Sequence, residues 1–179
     1  MLVAGSWKLE AQKMPIDPRT FRHTVGQFAT GVTVIATEAG GTIQAMTANS
    51  FTSLSLDPPL VLFCVGKTAH LSAHLGKATG FSVNILARSQ QDLSTYFAGG
   101  WKQPSPPPFE FVSWDGVHRL EGCGAALGCA VETIYEGGDH WIVVGRVRSL
   151  YRSEQARPPL LFCAGRYGSL EVPDGDARN

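Results

Sequence analysis

Between positions 42 and 67 the chain reads TIQAMTANSFTSLSLDPPLVLFCVGK, and its middle gathers small or hydroxyl-bearing side chains: Ala45, Thr47, Ala48, Asn49, Ser50, Thr52, Ser53 and Ser55. Short donors on a backbone with little bulk over it can approach a large flat or phosphorylated ligand closely. The same composition also describes a Ser/Thr-rich surface loop between two strands. Other chemistry is thinner. His70 and His74 stand four apart, which would share one helix face, but no third ligand lies at metal-binding spacing, so no metal site is expected. Cys64, Cys123, Cys129 and Cys163 sit in apolar stretches without ligand spacing and are expected to be free thiols in a reducing compartment.

The elements that must position these groups belong to one domain of 179 residues, with 44% apolar and 17% charged side chains. Fifteen Lys and Arg balance fifteen Asp and Glu, so no nucleic acid or other large polyanion is expected as a partner. No apolar run reaches membrane-spanning length, and the start, MLVAGSWKLEAQK, makes a poor signal peptide. A cytoplasmic location is therefore expected. Residues 1–14 read as a flexible arm in which Trp7 is a possible anchor, 15–172 as the domain, and 173–179 as a flexible tail.

Asp17-Pro18 makes a helix start, with Phe21, Val25, Phe28 and Ala29 on one face, so this helix is expected to lie across a sheet. Strands are expected at 31–37, from 42 onward, and at 60–65, 81–86, 109–114, 120–135, 140–150 and 160–163. Thr68 is expected to cap a helix over 69–77, and a further helix begins at Ser89 with Leu93, Tyr96 and Phe97 inward. The proline-rich stretch 99–108 around Trp101 reads as a lid or interface loop. Gly122, Gly124 and Gly128 within a long strand fit a sheet that bends. Seven or eight strands joined by short links and three helices predict a mostly β fold: an antiparallel barrel with flanking helices.

GVTVIAT, TANSFTSLSLDPPLVLFCV, GFSVNIL, Gln91–Leu93–Phe97, GDHWIVVGRV and PLLFCAGRYGSL occur in an order that resembles the flavin reductase domain family. That family comprises small reductase partners of two-component flavin-dependent monooxygenases, and the resemblance spans residues 17–170. It implies an antiparallel split barrel and a homodimer. It also implies FMN or FAD as cofactor, NADH or NADPH as hydride donor, and a separate monooxygenase that receives reduced flavin. Neither Gly-Gly pair, at 40–41 or 99–100, opens a Rossmann-type turn, which fits a nicotinamide that stacks on the flavin in one cleft.

By the same resemblance, Thr47, Asn49 and Ser50 meet the ribityl chain and phosphate, while Ala45, Met46 and Ala48 keep the backbone near the ring. Gly66, Lys67 and Thr68 offer a cation and a helix start to the phosphate, or else form an ordinary cap beside an exposed lysine. Val83 and Asn84 border the flavin, or Asn84 only satisfies backbone. Arg166 and Tyr167 meet a phosphate or ring edge, or are a surface arginine beside a core tyrosine. His140 serves the nicotinamide side, or caps its turn by bonding Asp139. Two alternatives stay open at this level: a flavoprotein of the same fold that retains FMN as electron carrier or oxidase, and a non-catalytic flavin- or haem-binding module.

Overall fold

The computed structural model describes residues 16–170 apart from Lys77 and Thr79; the expected arm at 1–14, with Trp7, and the tail at 173–179 lie outside the described residues. Helix α1 (Pro18–Val25) begins as its sequence requires, with the Asp17 carboxylate accepting the Thr20 N–H at 2.8 Å and Pro18 in the first turn. The expectation that α1 lies across a sheet is corrected. None of its residues is buried, and Phe21, Val25 and Phe28 beyond its end are all more than half exposed. The apolar stripe is present, but the chain gives it no sheet face to cover.

Strands β1 (Thr30–Gly31), β2 (Thr33–Ala39), β3 (Thr42–Ala48), β4 (Thr52–Leu56) and β5 (Pro59–Gly66) lead to a short helix α2 (Ser72–Leu75). Strand β6 (Gly80–Ile85) and a 3-10 turn at Arg88–Gln90 precede helix α3 (Gln91–Phe97). Then follow β7 (Phe111–Trp114), β8 (Val117–Leu120), β9 (Ala125–Gly137), β10 (His140–Arg152), β11 (Leu160–Cys163) and β12 (Arg166–Ser169). All pairings are antiparallel. Seven strands form one sheet in the order β3-β2-β6-β9-β10-β5-β4; β1-β11-β12 form a second and β7-β8 a third. The fold is mostly β with flanking helices, and β4, β8 and β12 are strands that the apolar pattern did not reveal. Each is short, at most five residues.

Alternation along β2 divides the interior in two. Ile35 points into a core with Phe63, Val65, Phe81, Val83 and Val143. Val34 points into another with Val32, Leu86, Leu93, Leu120 and Leu160, against which Ala45, Phe97 and Tyr167 pack. The first core is tightest where β10 carries Gly145. A Cβ there would overlap the Phe81 ring, with Cε1 at 2.8 Å, and that ring meets Phe63 edge-on at 5.1 Å between centroids. Register shifts in the β9–β10 ladder fall beside this glycine and between Val147 and Ser149, so the long hairpin bends around Phe81. The 99–108 loop is pinned by the Trp101 indole N–H to the Ser105 carbonyl at 2.8 Å and by buried Pro107.

Candidate functional site

Ala45, Met46, Thr47 and Ala48 are the last residues of β3, an edge strand of the large sheet. Met46 and Ala48 pack into the first core, and Ala45 packs against the second. The Thr47 hydroxyl donates to the Ser94 carbonyl of α3 at 2.7 Å. Asn49 and Ser50 follow the strand, and both are exposed. The Ser50 Oγ donates to the Cys64 carbonyl at 3.1 Å and accepts from the Cys64 N–H at 3.0 Å. That double bond stitches the end of β3 to β5, an attachment no sequence pattern announced.

Farther along β5, Gly66 lies directly across from His140, the first residue of β10. A Cβ on Gly66 would stand 3.9 Å from His140 Nε2, an ordinary van der Waals contact. His140 Nδ1 is 2.8 Å from Asp139 Oδ1 while its side chain stays 49% exposed. The hydrogen bond from His140, and then its charge, hold the Asp139 carboxyl below its ordinary range. Lys67 pairs with Glu136, lies 4.9 Å from the Trp141 ring centroid, and donates its backbone N–H to Asp139 at 3.0 Å. Bonding to Lys67 lowers the Glu136 carboxyl in turn.

The expected cap at Thr68 is corrected. Helix α2 starts at Ser72, runs four residues and has no side-chain cap. Amides at 69, 72 and 74 instead bond carbonyls three residues back, so this stretch is a series of tight turns. No row of free helix N–H groups opens beside Thr68. His74 Nδ1 sits 2.9 Å from the His70 carbonyl, and among the described residues no three His, Cys, Asp or Glu side chains cluster as metal ligands would.

Val83 and Asn84 are both completely buried, and Asn84 takes its alternative role of satisfying backbone. The Asn84 amide donates to the Val34 carbonyl at 3.0 Å and to Ser82 Oγ at 2.9 Å, and its oxygen accepts the Leu120 N–H at 2.8 Å. Three strands are joined through one side chain, and no amide donor is left for a ligand. Arg166 is exposed at the start of β12. Tyr167 beside it packs on Phe162 at 5.3 Å and places its hydroxyl 2.9 Å from Ser94 Oγ.

Two groups of expected residues are thus brought together. Ser50, Gly66, Lys67 and His140 are linked along β5, while Thr47 and Tyr167 converge on Ser94. A cleft of about 620 Å³ opens at Asn49 and Ser50, walled by Phe28, Phe51 and Ile85, with Thr30, Thr33 and Thr52 also lining it. The Thr30 hydroxyl oxygen there is buried and has no partner among the described residues. Apolar walls, an unbonded amide on Asn49 and hydroxyls at the rim form a donor set suited to a flat ring with a polar tail. Ser94 and Thr30 were not anticipated. Ser94 was in principle legible, since a serine next to Leu93 on the inward face of α3 must find a partner.

Comparison with known proteins identifies the family. The flavin reductase like domain family matches residues 25–171. The reductase subunit HsaB of a flavin-dependent monooxygenase from Rhodococcus jostii is 42% identical over 163 residues, covering 89% of this chain and 80% of that protein. The NADH-dependent FAD reductase of Streptomyces globisporus is 41% identical over 167 residues, 90% of each chain. Among solved structures, flavin reductase PheA2 in its native state superposes with a TM-score of 0.82 at 38% identity, over 88% of this chain and 100% of that one. The S. globisporus NADH:FAD oxidoreductase SgcE6, solved with NAD and FAD fragments, gives 0.78 at 37% identity, over 92% and 100%.

Proposed function

We propose that this chain, which belongs to the flavin reductase like domain family, is an NAD(P)H:flavin oxidoreductase that passes reduced flavin to a separate monooxygenase. The observation that carries the reading is the cleft at Asn49 and Ser50, set inside a family match that runs almost the full described length. FMN or FAD would supply the hydride-accepting ring, and NADH or NADPH the hydride. The protein's work is then to hold, orient and exclude water.

Each residue contributes to that work in a definable way. Asn49 offers an unbonded amide to the flavin's polar edge or ribityl chain, and Phe28 and Phe51 wall the ring. Ser50 fixes the rim through Cys64, and Thr47, Met46 and the flanking alanines keep the β3 edge close and thin. Lys67 and exposed Arg166 would offer cations to the phosphate. His140, half-exposed across from Gly66, would offer its imidazole to the nicotinamide carboxamide, its bond to Asp139 fixing the ring's orientation. No proton from the protein is obligatory when hydride passes directly between two rings.

The finer architecture belongs to the same proposal. Ser50 bridging to β5 supports closure of the large sheet as a split barrel. The uncovered apolar face of α1, continued by Phe28 at 77% exposure, supports a homodimer with the cleft near its boundary. Residues 15–172 make one such domain. No helix among the described residues is long and apolar enough to cross a membrane, and all four cysteines are free; these support a cytoplasmic protein.

Steady-state oxidation of NADH and NADPH with FMN, FAD and riboflavin tests the reading. Oxidation that rises with added flavin is expected. A rate independent of flavin would refute it.

A further inference from the structure

We infer that Ser94 is a positioning residue for the flavin cleft, one that ties Tyr167 to α3 while its carbonyl ties α3 to the β3 edge. The inference rests on the flavin reductase reading and extends it to a residue outside the cleft lining. Ser94 is completely buried in the middle of α3. A helix interior does not favour serine, and a buried hydroxyl without a partner is costly. Here both ends of the residue are engaged across elements. Its carbonyl, already accepting the Ala98 N–H at 3.1 Å within the helix, also accepts the Thr47 hydroxyl at 2.7 Å. Its own hydroxyl meets the Tyr167 hydroxyl at 2.9 Å.

The three residues come from different places. Thr47 belongs to the edge of the seven-stranded sheet, Tyr167 to the three-stranded sheet, and Ser94 to the helix between them. One buried residue therefore sets the spacing between the TANS strand and the Arg166-Tyr167 motif. The Tyr167 ring is already held on one side by Phe162. It also packs against the second core, and the Ser94 bond adds an attachment at its hydroxyl end. Loss of the bond leaves the ring packed but lets its edge wander relative to Thr47.

A hydrogen bond inside one helix would act on stability alone. A residue whose hydroxyl and carbonyl hold Tyr167 and Thr47, both proposed to meet the flavin, should act on the ligand too. Removing the Ser94 hydroxyl does not remove the carbonyl that Thr47 uses, so the effect should run through Tyr167. Ser94→Ala and Tyr167→Phe should then report the same interaction, and combining them should cost little more than either alone.

The test uses the full chain, with FMN and FAD as probes, by fluorescence titration and by NAD(P)H oxidation, well below each variant's melting temperature. For the flavin that wild type prefers, Ser94→Ala is expected to raise Kd and KM about five- to tenfold, the size of one ordinary hydrogen bond. The nicotinamide KM should stay within about twofold, a split that general loosening would not give. Tyr167→Phe should match it, and the double variant should fall within about twofold of the singles. If Ser94→Ala does not fold, Tyr167→Phe alone must show the flavin-specific rise. Lowered melting temperature with unchanged flavin Kd in either variant overturns the inference, as do fully multiplicative effects in the double. Those outcomes, with a wild type that binds and reduces flavin, leave the proposed function standing; a wild type that binds neither flavin overturns both.

Discussion

Asn49 and Ser50 are adjacent, polar and exposed, yet the structure assigns them opposite consequences. From sequence, a bulky apolar residue at either position is expected to abolish flavin binding and spare the fold. Ser50 also carries a structural role, because its hydroxyl both donates to and accepts from the Cys64 backbone. Two bonds of about 1 kcal/mol each, partly recovered by water at an exposed site, give a loss of about 1–2 kcal/mol for Ser50→Ala. For a chain of this size that is a fall in Tm of about 2–8 °C. Asn49 makes no hydrogen bond to another described residue, so Asn49→Ala should leave Tm within about 1 °C. Its proposed partner is the flavin, and loss of one or two bonds there should weaken binding about five- to thirtyfold. Thermal melts followed by circular dichroism, paired with fluorescence titration of FMN and FAD, separate the two columns of effect. A Ser50→Ala protein as stable as wild type would refute the reasoning about the β3–β5 stitch. An Asn49→Ala protein with wild-type flavin affinity would remove Asn49 from the cleft's donors.

His140→Ala should lower kcat/KM for NAD(P)H about tenfold or more, with flavin affinity and Tm nearly unmoved; a loss of about 1 kcal/mol of stability at an unchanged hydride-transfer rate would make His140 a turn cap through Asp139. Asn84→Ala should cost about 2–4 kcal/mol in chemical denaturation, since it strands the buried Leu120 N–H; a smaller loss would mean that water replaces the amide. Gly145→Ala should cost about 1–3 kcal/mol because Phe81 must move, and pairing it with Phe81→Leu should recover part of that loss. Glu136, Asp139 and Glu132 have lowered carboxyl pKa values in the fold, so the unfolded chain binds more protons as pH drops. Their stabilisation is present above about pH 4.5 and is lost as pH falls through the lowered folded values; Tm should drop as pH falls below about 4.5, and Glu136→Gln should flatten that slope.

What the sequence made legible follows from which forces act locally. The Asp17 cap is made three residues along the chain, and the β2–β3 and β9–β10 hairpins each close through a turn of two residues, so each forms where its residues indicate. The motif order was equally readable, because the family's pattern is itself written in sequence. What escaped is non-local. Asn84 sits in an alternating strand whether it faces a ligand or three neighbouring strands, and only the register of β2, β6 and β8 decides. Ser50 looks like any loop serine until Cys64, fourteen residues on, is brought opposite it. The α1 stripe was correctly apolar, but periodicity reports that a face seeks cover and not whose surface supplies it.

Those failures share a cause that bears on the site itself. TANS reads as one cluster of ligand donors, yet the fold divides it residue by residue. Thr47 is committed to α3, Ala48 to the first core and Ser50 to β5, and of the three polar side chains only Asn49 is left unbonded. A segment so attached at neighbouring points has little freedom to adapt when a ligand arrives. Its rigidity lowers the ordering cost of binding, which suits a protein that must take up and release flavin repeatedly without remaking its cleft. Affinity then depends on few contacts, so single changes at Asn49 or Tyr167 should tune it without disturbing the frame. The converse also holds: changes at Asn84 or Gly145 should reach flavin binding only by loosening the body that carries the cleft.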